Sequence, residues 1–341
     1  IGGGGAAGLE SGTGSDSMQS AASLTTTAAN ASGAQSIALG ENASAGGPGG
    51  IAIGKNATQG ANDGIVIGPD ASSTSNGTAI GPFATTTGNQ GMAIGHLANA
   101  NNTGTAVGRR TDATADSSFA GGDEAQATAT NSVAIGKAAN ASATDTVAIG
   151  VNAQASNIGD VNIGDNNTIA VKSGSLGDVV IGKNNLSTTV NGGRNVLIGQ
   201  DNEITQNEQN SVVGFNNTVS RGSASVLGLN NTVTGQYNQT VIGNNNSGAG
   251  EDAVAIGKDN TTTGGGRASV AIGEGNTASA RGAVALGENV TAATAQTVTV
   301  KLLQILNYAS MSFADDAAAA TGGIPLGGVY HTSGALKIRI A

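Results

Sequence analysis

The chain has 341 residues, among them 56 glycines, no cysteine, no tryptophan, three tyrosines and four phenylalanines, and its charged residues amount to 11% with a formal net charge of -9. No basic run is long enough to follow a phosphate backbone, which argues against nucleic-acid binding, and without cysteine there is neither a disulfide nor thiolate chemistry. With aromatic residues at 2%, a deep globular core is excluded, and a slender rod filled by Ala, Val, Ile and Leu fits better.

In chain order, Ile1 to Gln35 is rich in Gly, Ala, Ser and Thr with little pattern and reads as a loosely wound lead-in. From Ser36 to Ala292 a unit of about fourteen residues recurs, in which an apolar alternation ends in glycine and a polar stretch follows. Examples are SIALGENASA from Ser36, IAIGKNAT from Ile51, SVAIGKAANASA from Ser132, VVIGKNN from Val179 and AVALGEN from Ala283. The marker glycines are Gly40, Gly54, Gly68, Gly81, Gly95, Gly108, Gly136, Gly150, Gly164, Gly182, Gly199, Gly214, Gly228, Gly243, Gly257, Gly273 and Gly287. The doubled step after Gly108 leaves room for one degenerate coil around Phe119 to Gly122.

A unit this short cannot hold a helix-turn-helix or a βαβ element, but it suits two strands and two tight turns, one coil of a β-solenoid. Glycine supplies a positive φ or a steric gap at the turn, and the Asn or Asp beyond it tolerates left-handed geometry. Within Val133-Ala134-Ile135 the alternation predicts the branched pair inside the coil and the small Ala134 outside, facing a neighbouring chain. Stacking sets like on like, so Asn166-Asn167, Asn184-Asn185, Asn216-Asn217, Asn230-Asn231 and Asn244-Asn245 are expected to form amide ladders. A single thin column buries little surface, so an oligomer is expected. Roughly eighteen coils at ~4.8 Å each give a rod of about 85 Å.

The segments Asn131 to Ser156 and Ala268 to Ala292 closely resemble the head repeats of trimeric autotransporter adhesins of the YadA type. The resemblance extends over about three quarters of the chain. It implies a left-handed parallel β-roll, three chains side by side, and a role in attachment. After Val290 that family would lead one to expect a neck, a coiled-coil stalk and a membrane anchor; instead Thr297 to Phe313 carries a β-rich apolar run. The last stretch, Phe313 to Ala341, resembles carboxyl-terminal segments of tailed-bacteriophage structural proteins, and this resemblance implies a virion fibre or decoration protein. There the residues predict a turn at Gly322-Gly323, strands over Gly328 to His331 and Ala335 to Ile340, and a small capping or docking segment over 293–341.

No catalytic, cofactor or metal site is expected. His96 and His331 stand in no ligand spacing and read as surface or turn residues, and the acidic pairs Asp123-Glu124 and Asp315-Asp316 read as solvated charge. The many G-x-x-x-x-G fragments lack the Lys-Ser/Thr ending of a phosphate loop, and sequons such as Asn42 to Ser44 follow automatically from the repeat. The irregular insertions at Asn157 to Asp160, Lys172 to Gly177 and Thr188 to Arg194 are the expected places for specificity. The expected function is that of a non-enzymatic homotrimeric fibre on a virion surface, contacting other virion proteins and a host glycan or protein. The alternative is a bacterial adhesin head on the outer cell surface, without membrane insertion in either case. A glycan-cleaving enzyme would need paired carboxylates among aromatic subsites, which this composition does not offer.

Overall fold

The computed structural model describes residues 9–20, 28–170, 177–188, 194–205, 209–235, 237–265, 267–301 and 308–340. It separates into two units, Ile1–Thr299 and Val300–Ala341. The first is an all-β parallel solenoid. Each coil contributes one longer strand to a 21-stranded sheet and one two-residue strand to the opposite wall, which consists of a 10-stranded and a 9-stranded sheet. Successive coils pair parallel and in register, so that Val133, Ala134 and Ile135 lie on Val147, Ala148 and Ile149. The degenerate coil is present: Phe119–Gly121 is a strand seated between Thr105–Val107 and Val133–Ile135. Before Ser36 the described residues hold a hairpin of Leu9–Ser11 with Met18–Ser20, and its second strand already pairs with Ile37–Leu39.

The side-chain alternation runs opposite to the sequence expectation. Ala134 is fully buried inside the coil, whereas Ile135 is 38% exposed and Val133 half-buried on the outer face. The physical reason is width. Ser132, Ala134, Ala139 and Ala141 line the interior of this coil, and only such small side chains let two walls joined by tight turns come so close. Branched residues at those positions would hold the walls apart, so they occupy the opposite side of the same strands.

Interior composition changes along the column. As far as Ala155 the core is a continuous cluster of alanines with a few polar or larger substitutes, and from Ile169 it contains Val180, Leu197, Ile204, Val212, Val219, Val226, Val233 and Val241. The strands lengthen at the same point, from three residues at Val147–Ile149 to five at Val161–Asp165. Exceptions are compensated locally. Gln59 is buried where neighbouring coils carry Ala45 and Ser73, and its side-chain oxygen lies only 2.0 Å from the place a Cβ on Gly50 would take. The glycine there leaves room for the Gln59 carboxamide, and its role is space, not backbone conformation. At Gly136 both demands coincide: φ is +129°, and a Cβ would stand 2.4 Å from the Gly150 carbonyl oxygen.

The second unit contains a short helix, Asp316–Thr321, and a hairpin of Val329–Thr332 with Ala335–Ile338. The two strands fall close to the expected places, and the expected turn at Gly322-Gly323 is where the helix stops. The helix itself was missed. Its signal is the capping Asp315, whose side chain accepts from the Ala318 N–H at 2.8 Å, followed by an alanine run of high helix propensity.

Candidate functional site

The outer face of the long-strand sheet carries two apolar rows. Val133, Val147, Val161, Val179 and Val196 stack in one, and Ile135, Ile149, Ile163, Ile181 and Ile198 in the other. Toward both ends the second row continues through Ile53, Ile242 and Ile272 with a gap at Gly121, while the first, which carries Ile51 and Val270, is interrupted by Thr78, Thr105, Ser211, Ser225 and Thr240. At ~4.8 Å per coil they run for about 80 Å. Even the one aromatic residue in these rows is fitted, for the Phe119 ring lies over Gly121, where a Cβ would meet it at 3.0 Å. A monomer seldom leaves so long an apolar surface to water; such surfaces mark protein contacts.

The turns after the glycines form corners. The turn glycines, from Gly40 and Gly54 through Gly136 to Gly273 and Gly287, hold φ between +120° and +142°. Two residues on, the left-handed position is filled mostly by Asn or Asp, such as Asn42 at φ 57° and Asn184 at φ 53°. These side chains bond coil to coil, as Asn42 to Asn56 at 3.1 Å, Asn56 to Asp70 at 2.8 Å and Asn184 to Asp201 at 3.0 Å. Charges also pair along the column: Arg109 with Asp123 at 2.7 Å, Arg110 with Glu124 at 3.1 Å, and Lys258 with Glu274 at 2.8 Å. The hydrogen bond from Lys258 to Glu274 raises the lysine pKa, and that from Asn245 lowers the pKa of Asp259. Exposed pairs of this kind contribute little to stability. They share the corners with exposed apolar side chains, Phe83, Leu97, Val151, Phe215 and Leu229, so the surface there is mixed in character.

Inside the wider part of the column the expected amide ladder is present and fully satisfied. It runs through Asn167, Asn185, Asn202, Asn217, Asn231, Asn246, Asn260 and Asn276, all buried. Asn217 shows the pattern. Its Nδ2 donates to Asn202 Oδ1 at 2.9 Å and to the Gly228 carbonyl at 2.8 Å, while its Oδ1 accepts from the N–H and Nδ2 of Asn231, both at 3.0 Å. In Asn166-Asn167, Asn184-Asn185, Asn216-Asn217 and Asn230-Asn231 the first residue takes the left-handed corner and the second the buried ladder, whereas at Asn244-Asn245 the corner residue is Asn245 and the buried one is Asn246, beyond the expected pair. Two ladders result, one wet and one dry. Sequence reasoning did not distinguish them.

A second interior ladder starts from carboxylates. Asp160 and Asp178 are both buried on successive coils and continue into Asn195 and Asn210. Asp160 accepts from the N–H and Nδ2 of Asn157 at 2.9 and 2.8 Å and from the Asp178 N–H at 2.9 Å. Asp178 accepts from the Asn195 N–H at 2.9 Å and from Ser187 Oγ at 2.7 Å. Burial pushes the Asp160 carboxyl above its ordinary pKa and the Asp178 charge adds to this, against the donors that pull it down. A pKa raised by folding stabilises the native state in acid and loses that effect as pH rises through it. Asp178→Asn is therefore expected to stabilise the column by ~1–2 kcal/mol at pH 7, because it removes a buried like charge and supplies an amide donor toward Asp160. The gain should shrink on acidification, and melting curves of both proteins across pH 4 to 7 check it.

The residues singled out from sequence do not converge. His96 is an exposed turn residue whose ring meets Phe83 edge-on at 6.0 Å, whereas His331 is buried in the tail hairpin and not at the surface. Asp123 and Glu124 are partly exposed charges that also pair with Arg109 and Arg110. Asp315 caps the tail helix, and Asp316 accepts from the Tyr330 hydroxyl at 2.5 Å, which pushes that phenol up to about 12. Among the described residues no group of His, Asp and Glu could hold a metal ion, and no helix is long and apolar enough to cross a membrane. Of the three expected specificity insertions, Asn157 to Asp160 turns its polar side chains inward and exposes Ile158. Residues 171–176 and 189–193, the main parts of the other two, lie outside the described residues.

The profile of the YadA head domain repeat, described as two copies, matches residues 31–57, 75–98, 113–139, 127–153, 141–171 and 265–289. Five of these six matches end by residue 171 and the sixth covers the second alanine cluster, Ala271 to Ala285, while 172–264, which holds most of the asparagine ladder, lies between matches. No curated protein matches the chain.

Proposed function

We propose, from the premise that this chain carries YadA head repeats, that it is the head of a non-enzymatic homotrimeric fibre displayed outside the cell and used for attachment. The observation that carries this reading is the pair of apolar rows on the long-strand sheet. Three columns packed through those rows would bury the branched side chains that the narrow coils exclude from their own interiors. What remains outside would be the corners, where Asn and Asp alternate with exposed apolar residues such as Phe83 and Leu229, a repetitive surface suited to broad, shallow contacts. Adhesins of this repeat type are surface proteins, and that location comes to this chain with the repeat.

The same architecture would serve a virion fibre. That second reading is favoured by the sequence of the tail, Phe313 to Ala341, which resembles carboxyl-terminal segments of tailed-bacteriophage structural proteins and whose described residues form a short helix and a hairpin. Antibodies raised against the column, applied to whole cells and to purified particles, separate the two locations.

Assembly is tested on a single coil. Val147→Asp with Ile149→Asp changes only the outer side of one strand, whose inner residue Ala148 is untouched. The variant is expected to keep its β-sheet circular dichroism while its dissociation constant rises at least ~100-fold, since carboxylates would be buried without partners at the contact. Sedimentation equilibrium reads the mass. A wild-type chain that sediments as a monomer would sink the proposal.

A further inference from the structure

Among its described residues, the tail unit turns most of its large aliphatic side chains outward. Val300–Ala341 spans about 40 residues, the range in which a single chain needs a disulfide, a metal or a partner to fold stably, and the chain has no cysteine. Its buried apolar residues among those described are Ala319 and Tyr330 alone. Four larger aliphatic residues point to water instead: Leu326 at 67%, Leu336 at 56%, Ile338 at 59% and Ile340 at 81%. Leu336, Ile338 and Ile340 alternate along the last strand and its extension, so they share one face. The backbone of Ala335–Ile338 pairs with Val329–Thr332 on one side and with no other described strand. An exposed apolar strand at a sheet edge is a template for pairing with another chain.

The unit is nevertheless well braced on its other side. Phe313 meets Tyr330 edge-on at 6.3 Å, the Phe313 N–H donates to the His331 carbonyl at 3.0 Å, and the Ile340 N–H donates to Asp316 at 2.8 Å. The exposed row is thus held in place and not frayed.

We infer that the row Leu336, Ile338 and Ile340 docks on the same row of the other copies of this chain, so that three tails close into one apolar cap. The inference rests on the trimeric reading of the column. Given that reading, the occupant follows from tethering: each tail is joined by chain to the same end of its column, so three identical rows are confined together at an effective concentration far above that of any free partner. Charge gives no reason for a different partner, because the unit carries both signs in near balance, Lys301, Lys337 and Arg339 against Asp315 and Asp316.

The absence of cysteine makes the test simple. Ala335→Cys in the full chain carries a nitroxide at the exposed start of the last strand, and double electron-electron resonance reads the distances between tails. One short, narrow distance distribution is expected. Adding Leu336→Asp and Ile338→Asp should broaden and lengthen it, and trypsin should cut at Lys337 at least ~10-fold faster, as the tail opens more often. A chain of trimeric mass whose labels stay apart would overturn the cap alone and leave the row to a foreign partner. A short distance that survives both aspartates would also overturn it. A monomeric mass would overturn the cap together with the trimeric reading.

Discussion

Asn217→Asp is expected to unfold the middle of the column at neutral pH. The substitution changes one atom type and almost no volume, yet it turns a donor into an acceptor at a fully buried position. The new oxygen would face Asn202 Oδ1 and the Gly228 carbonyl, the two acceptors that Nδ2 now serves at 2.9 and 2.8 Å. Two hydrogen bonds are lost, three oxygens crowd together, and a carboxylate loses its water with no cation beside it. The cost is ~3–5 kcal/mol for the coil, and it spreads because Asn202 and Asn231 each lose order when their partner does. The folded pKa of the new acid would be raised, so protonation relieves the damage and stability should recover partly toward pH 4. Asn217→Ala, which leaves a small cavity and unpaired neighbours, should cost ~2 kcal/mol without pH dependence. Thermal melts of the three proteins at two pH values separate these effects. An aspartate variant melting within a degree of wild type would contradict the ladder as described.

Ala134→Leu is expected to be nearly as damaging, and Ile135→Leu on the next residue nearly silent for the coil. Ala134 is packed below Ala148, above Ala120 and opposite the buried Ala139 and Ala141. The walls are tied to the coils on either side by backbone hydrogen bonds, such as Val133 N–H to the Thr146 carbonyl at 2.9 Å, so three added carbons cannot be absorbed by a local shift. Overpacking of this kind costs ~1–3 kcal/mol, and the column repeats the strain on two neighbours. The interior does accept a branched residue where space is made: Val66 is buried in a coil with Gly64 in the place that Ser132 takes. Ala255→Val, in the wider part beside Val241, should accordingly cost under ~1 kcal/mol. If Ala134→Leu proved harmless and Ile135→Leu disruptive, the inward and outward assignments would have to be exchanged.

The same residues show how far sequence reasoning reaches. Period, coil length, parallel stacking, the glycine corners and the NN ladders all follow from local rules, because a residue every fourteen or so positions returns to the same environment whatever the fold's remaining details. The degenerate coil at Phe119 could be placed for that reason. The side of the strand could not. In Val133-Ala134-Ile135 the alternation fixes that neighbours point apart, and it is silent on which set points inward, since a period of two is symmetric. The usual preference for branched residues in the core then misleads, for it assumes a core wide enough to hold them. Likewise, the two asparagines of a pair such as Asn216-Asn217 look alike in sequence, but the turn directs the first to water and the second into the column, and at Asn244-Asn245 it is the next residue, Asn246, that turns inward.

The tail divides in the same way. Its two strands are legible from their alternation and the glycines around them, whereas the helix over Asp316–Thr321 gives little signal, because an alanine run in an alanine-rich chain carries little contrast. What the sequence determined by itself was the repeat and therefore the rod, since periodic residues can stack only on their own kind. What the tertiary structure alone decided was the inside and outside of that rod. The spacing between the two walls selects alanine for the interior, and this leaves the valine and isoleucine rows outside to be covered.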